Sequence, residues 1–324
     1  MQDKFRYAQG LTLADNENHP PGTSPLWQES SVFYFSDPGK GVTAFHRIGI
    51  LFNREIANIY SWTSIGGKVV SRAKRTRLPI PTGPTTGTSL DGLTFTTLDP
   101  LIEYRIQVDR DGVETDVVFK AFTGPVTMDA DAGGLRVAAR HYNMLAQVTG
   151  TVRAGGSTTP IDGVGFIDHS WGPRDLTSVI GHRFFMCVFD ENNYVSAAPQ
   201  VGVAGRGMVG YLRFDGELSM VTDVQSVLYL GDDNLRLEGC RASITDRLGR
   251  KIVLKGTTVG EYNVQPLGHG YFAVQHGCLY DSDDGRRGRG VLEWGPARMI
   301  PDSHREALGL RADDFWLTGA DPAG

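Results

Sequence analysis

A two-residue periodicity runs through almost the whole chain and confines it to β-structure. Apolar residues alternate with polar ones, or run unbroken for a few positions, over residues 31–36, 42–51, 56–62, 101–108, 115–122, 145–153, 183–189, 235–245, 251–259 and 269–280. These stretches are short, rich in Val, Ile, Phe and Tyr, and punctuated by Asp37-Pro38-Gly39, Asp91-Gly92, Asp111-Gly112, Asp215-Gly216 and Leu248-Gly249. Such pairs turn a chain back on itself. Only the segment from Ser303 invites a helix, with Ser303 as N-cap and Glu306 three residues on in capping-box spacing. The expected architecture is all-β, as sandwiches or barrels, with a short C-terminal helix.

At 324 residues the chain is long enough for about two domains, each with a core that needs no disulfide or metal staple. Its formal charge of −5 offers no field for phosphate backbones or anionic lipid, so nucleic acid is not an expected partner. Cys187, Cys240 and Cys278 are odd in number, far apart and set in apolar runs, the pattern of buried thiols in a reducing compartment. No stretch approaches eighteen apolar residues, and MQDKFRYAQG lacks an apolar leader core. The expectation is a cytoplasmic protein without membrane insertion.

Two segments echo each other. Residues 163–172 read GVGFIDHSWG and residues 288–295 read GRGVLEWG. Both have the form G-x-G-x-x-acid and end in Trp-Gly, and the first carries two more residues, His169 and Ser170. A fainter echo pairs Phe52-Asn53 with Phe189-Asp190. The echoes suit two tandem β domains of common ancestry, 1–172 and 173–324. The basic run Arg72, Lys74, Arg75 and Arg77, followed by a Pro/Thr/Gly stretch, reads as a solvated connection over 72–90.

FIDHSWGPRD holds the densest cluster of reactive side chains. On a regular strand His169 and Trp171 share a face with Ile167, while Asp168 and Ser170 point the other way. The two inserted residues suggest a β-bulge, a device that re-aims side chains beside active sites. An imidazole packed on an indole near a carboxylate can give or take a proton at neutral pH, which makes Asp168 and His169 the candidate catalytic groups. The same residues also suit a structural role, with Asp168 and Arg174 locking the strand end, Asp175 beside them and Trp171 as a core anchor.

Polar and aromatic groups inside apolar strands, among them His46, Tyr60, Tyr142, Asn143, Gln275 and His276, together suggest an apolar cavity with a few orienting donors. Trp171, Tyr142, Asn143, Tyr60 and His276 are the candidate substrate-binding residues, and Glu293 and Trp294 the structural counterparts in the second echo. Other motifs lack their context. Gly205, Gly207 and Gly210 spell GxGxxG but lead into strand, turn and strand, with no helix to receive a pyrophosphate. His269 and His276 are seven apart on one expected strand and there is no HExxH, so no metal site is expected. The DSDDG run at 281–285 reads as a hairpin tip.

Through GVGFIDHSWGPRD, the upstream HYNMLAQVTGTV and the terminal GRGVLEWG, the sequence resembles the lipocalin-like superfamily of carotenoid 1,2-hydratases, AttH-like proteins, tocopherol cyclases and fungal Diels–Alderases. It looks most like uncharacterised bacterial members with a DHSWGxRD signature. The resemblance implies two tandem calycin-type β domains. It also implies cofactor-free chemistry on terpenoid, steroid or polyketide-like molecules: hydration or dehydration, double-bond isomerisation or cyclisation. Asp168, His169 and Trp171 match the acid, His and Trp of the signature. The competing expectation is a non-catalytic carrier of a hydrophobic ligand.

Overall fold

A computed structural model of the chain describes residues 10–81, 87–127, 131–132, 135–136, 140–174, 179–202, 205–233, 235–268 and 271–295. The segment from Ser303, Asp175 and His269 lie outside the described residues. The strands are β1 (Trp27–Asp37), β2 (Val42–Leu51), β3 (Ile56–Ile65), β4 (Lys68–Leu78), β5 (Thr88–Leu90), β6 (Leu93–Asp99), β7 (Glu103–Arg110), β8 (Val113–Ala121), β9 (Val126–Thr127), β10 (Asp131–Ala132), β11 (Leu135–Arg136), β12 (Arg140–Ala154) and β13 (Ser157–Pro173). They continue as β14 (Val179–Asp190), β15 (Asn193–Gly202), β16 (Gly205–Phe214), β17 (Glu217–Leu230), β18 (Leu237–Asp246), β19 (Lys251–Gly268), β20 (Tyr271–Ser282) and β21 (Arg287–Gly295). Two compact units result, one from Met1–Ala130 and Ala138–Arg174, the other from Asp131–Val137 and Asp175–Gly324.

In the first unit the strand order is β4-β3-β2-β1-β13-β12-β8-β7-β6-β5, with β9 alongside β12. The sheet curls until its β4 edge approaches turns at its far side, where Arg75 faces Asp91 at 3.5 Å and Ser71 donates to Asp111 at 3.3 Å. Alternation fills the concave side with Phe33, Phe35, Ala44, Ile48, Ile59, Ile106, Phe119, Met144 and Ile167. The Asp-Gly pairs at 91–92 and 111–112 both take positive φ at each residue, the hairpin conformation those residues favour. In the second unit β14 to β21 form a closed eight-stranded barrel, sealed by β14 against β21.

Two expectations change and one holds. The basic run at 72–77 is not a connection but part of edge strand β4, whose Ser71 and Ala73 are buried while Arg72 and Lys74 face out. Charge on an edge discourages pairing with another chain. The segment 205–214 is strand β16, which leaves its glycines no helix to open. There is no bulge at His169-Ser170: β13 pairs residue for residue with β1 from Trp27↔Pro173 to Ser36↔Val164 and with β12 from Arg140↔Trp171 onward.

The echo has a physical basis. β13 and β21 occupy the same place, each pairing with the first long strand of its unit and with the strand before it. Their glycines leave room that a side chain would fill. A Cβ at Gly163 would lie 2.7 Å from the Ser36 carbonyl and one at Gly290 2.0 Å from that of Met186. At Gly165 it would meet Phe119 at 2.5 Å, and at Gly288 the Cys187 sulfur at 2.5 Å. The fainter echo has no such equivalence, because β2 is the second strand of its sheet while β14 is paired as β1 is.

Candidate active site

The site is built where β1, β12 and β13 run side by side in the first unit. Alternation along β1 sends Glu29 inward with Ser31, Phe33 and Phe35; along β13 it sends His169 and Trp171 inward with Ile167; along β12 it sends Tyr142 inward with Met144. His169 Nε2 and Glu29 Oε1 are 2.5 Å apart, and His169 Nδ1 lies 3.2 Å from the Tyr142 hydroxyl. Tyr104, which lines the same pocket as these residues, donates to Asn16 Oδ1 at 2.6 Å.

A segment preceding β1 completes the array. A short 3₁₀ turn at Leu13–Asn16 is closed by Asp15, which accepts from the Thr12 backbone N–H at 2.6 Å and from its hydroxyl at 2.8 Å. His19 follows, with Nε2 3.2 Å from Asp15 Oδ1 and Nδ1 3.1 Å from the same Glu29 oxygen that meets His169. Its backbone N–H donates to Glu29 Oε2 at 3.2 Å. The His19 ring lies flat on Trp171, centroids 3.8 Å apart and planes within 8°. Thus His19 Nδ1, Glu29 Oε1 and His169 Nε2 all fall within 4.8 Å of one another, a set able to hold a cation.

Burial and pairing set the charges. Burial works to raise the Glu29 carboxyl, but hydrogen bonds and charge from His169 and His19 outweigh it and hold it below its ordinary value. Burial works to lower His19, and its contacts with Glu29 and Asp15 outweigh that and raise it. Tyr104 is pushed up to about 12 and Tyr142 well above 10, in both cases chiefly by burial, so both stay neutral phenols able to donate.

The array borders a pocket lined by the polar Asn16, Glu29, Thr97, Tyr104, Tyr142 and His169 together with the apolar Phe33, Ile48, Ile50, Phe95 and Ile167. The concavity encloses about 540 Å³ counted to its open side, of which about 30 Å³ is clear to the centres of water-sized spheres. That is room for a few waters at depth.

The residues singled out from sequence separate into groups. His169 and Tyr142 belong to the array. Trp171 stands behind it, stacked on His19. Asp168 borders the pocket, but its carboxylate turns to His141 on the opposite sheet face. There burial works to raise it, and His141 and Arg174 outweigh that and lower it. Arg174 donates to Ser170 Oγ at 2.5 Å. Asn143 is on that same face, paired in register with Asp168. Tyr60 is there too, with Arg47 and Lys74 over its ring at 5.3 and 5.5 Å. His276 is in the other unit, inside the barrel, where Nε2 accepts from the Leu237 N–H at 3.2 Å. Glu293 bonds His182 at 2.7 Å and Gln275 at 2.6 Å, and the Trp294 indole donates to the Leu235 carbonyl at 3.2 Å.

Sequence reasoning missed Glu29, His19, Asp15, Tyr104 and Asn16. Glu29 left a trace, an acid at an inward position of the WQESSVFYFSD alternation. His19 left none, since its loop has no period.

The concave side of the curled all-β sheet thus carries a buried carboxylate–imidazole array beside apolar side chains of the same pocket. Over residues 12–298 the sequence matches the family described as a domain of unknown function, DUF7064, and the chain belongs to that family. No curated protein matches it. Among solved structures the chain is similar to a putative AttH from Nitrosomonas europaea, with 14% identity, TM-score 0.63, and 85% of this chain and 94% of that one covered. It is also similar to CghA, with 14% identity, TM-score 0.60 and coverage of 84% and 88%. A third is kievitone hydratase from Nectria haematococca, with 12% identity, TM-score 0.57 and coverage of 82% and 88%. At these identities the likeness is one of fold. Among the described residues no helix is long and apolar enough to cross a membrane.

Proposed function

We propose that the chain is an enzyme that transfers protons to and from a hydrophobic small molecule held in the pocket of the first unit, in a hydration, dehydration, double-bond isomerisation or cyclisation. The observation that carries this reading is the buried Glu29–His169–Tyr142 line in a pocket otherwise lined largely by apolar side chains. His169 is the proton donor or acceptor, and the Glu29 carboxylate stabilises its imidazolium form. The neutral Tyr142 hydroxyl, bonded to Nδ1, hands the proton on to the bound molecule. In a hydration, that proton adds to one alkene carbon, water adds to the other, and the proton water loses returns to the His169–Glu29 pair. Asp168, paired with His141, serves to fix β13 against β12.

The fold likeness supports this reading by analogy: one similar structure is named a hydratase, and CghA has also been solved with Sch210972. A terpenoid-sized molecule exceeds the clear space at depth, so binding requires the segment carrying Asn16 and Asn18 to yield. Its hold on the sheet includes the hydrogen bonds of Asn16 with Tyr104 and Thr97.

The test is incubation with a panel of terpenoid, steroid and polyene compounds, followed by mass analysis of bound and released species. A product heavier or lighter by one water, or of equal mass and altered retention, is expected. Stoichiometric capture of an unchanged compound would make the protein a carrier instead. Absence of both capture and conversion across the panel would overturn the pocket's assignment.

A further inference from the structure

The acid–base reading uses one imidazole, yet two converge on the same carboxylate oxygen. We propose that His19, Glu29 and His169 form a mononuclear site for a divalent transition metal of the zinc class, with His19 Nδ1, Glu29 Oε1 and His169 Nε2 as its ligands. Two imidazoles and a carboxylate are a donor set that suits such an ion. Glu29 Oε1 lies 2.5 Å from His169 Nε2 and 3.1 Å from His19 Nδ1. Ligands bound at about 2.0–2.2 Å to one ion stand roughly 3.3–3.5 Å apart in tetrahedral geometry. An ion therefore needs Glu29 to part from each imidazole by about an ångström or less, with the two imidazole nitrogens already within 4.8 Å of each other.

The surroundings are those of ligands and not only of a hydrogen-bonded pair. Each imidazole has its far nitrogen engaged, His19 Nε2 by Asp15 at 3.2 Å and His169 Nδ1 by Tyr142 at 3.2 Å. That arrangement fixes the ring and turns the near nitrogen to the centre, the role outer partners play around bound metals. Trp171 holds the plane of His19 by stacking. Glu29 and His169 both line the pocket, so water or another small ligand reaches an ion there from that side. Exposure of 18% at His19, against 4% and 2% at His169 and Glu29, provides the way in. The chain supplies its own contrast. His141–Asp168 and His182–Glu293 are also imidazole–carboxylate pairs, but among the described residues only the His19–Glu29–His169 group brings three ligand atoms together.

The inference does not rest on the reaction proposed above. An ion at this site takes the place of the protons that reaction uses, so binding is read directly and not through turnover. The experiment is titration of the chelator-treated full-length chain with Co²⁺ as an optical probe, followed by competition with Zn²⁺. One Co²⁺ per chain is expected, with the visible d–d bands of a low-coordinate ion, displaced by one equivalent of Zn²⁺. His19→Ala, on a segment outside the strands and so compatible with an intact sheet, and Glu29→Gln should each weaken binding at least 100-fold. Asp15→Asn should weaken it about 10–100-fold, and Asp168→Asn should leave it unchanged. Absence of the bands, or bands of equal strength in His19→Ala and Glu29→Gln, would overturn the site.

Discussion

Glu29 and His169 meet diagonally across two paired strands: Glu29 is in register with Trp171 and His169 with Ser31, yet carboxylate and imidazole close to 2.5 Å. Both face the concave side because each lies an even number of residues from a core position, Phe33 in β1 and Ile167 in β13. Tyr142, opposite His169 in β12, completes the line. Replacing Tyr142 by Phe removes the hydroxyl bonded to His169 while keeping the ring in the core. Turnover should fall by about 10²-fold with KM changed by less than about threefold, as expected when a proton-handling group is lost and binding area is kept. Steady-state kinetics on any converted compound checks this.

Asp168 behaves differently. Its carboxylate offsets the half-buried guanidinium of Arg174 and bonds His141 away from the array. Asp168→Asn should cost about 2–3 kcal/mol of stability, at or just below the range for breaking an enclosed ion pair because its side chain keeps 15% exposure. It should change turnover by less than tenfold. Urea unfolding alongside kinetics separates the two effects.

The pH dependence of stability is set in part by two histidines held neutral. Burial lowers both His46 and His276 to about 3 from an ordinary 6.5. Between those limits the unfolded chain binds a proton at each that the folded chain refuses, so stability falls as pH drops from 6.5 toward 3. The slope is up to about 1.4 kcal/mol per pH unit for each histidine. His46→Asn should flatten the slope by one proton in unfolding curves recorded from pH 7 to 4; an unchanged slope would show that His46 takes up its proton while folded.

Gly165 tests the packing behind the site. A Cβ there would meet Phe119 at 2.5 Å and Val148 at 2.6 Å, with no open space to receive it. Gly165→Ala should therefore destabilise the chain by about 1–3 kcal/mol, read as a lowered Tm.

The fold was legible because alternation and Asp-Gly turns are local signals, and Asp91-Gly92, Asp111-Gly112 and Asp215-Gly216 all turn their hairpins with positive φ. Strands such as β4 were hidden by charge, since an edge strand with one wet face carries Arg72 and Lys74 where a loop would too. Half of the site was legible: the sharing of a face by His169 and Trp171 follows from alternation alone. Its acidic partner was not, because Glu29 is 140 residues away in sequence and reaches His169 only through the β1–β13 pairing. Adjacency along the chain pointed to Asp168, which the same alternation turns aside. His19 comes from an aperiodic loop whose position is set by hydrogen bonds to Asp15 and Glu29, and those exist only after folding.

The most direct test of the central claim is the turnover of Glu29→Gln and His169→Asn on a compound that the unaltered chain converts, with an unchanged far-UV circular dichroism spectrum as the fold control. A loss of roughly 10²–10⁴-fold in both is predicted, the contribution of a positioned general acid or base. Turnover equal to that of the unaltered chain in both variants would contradict the account.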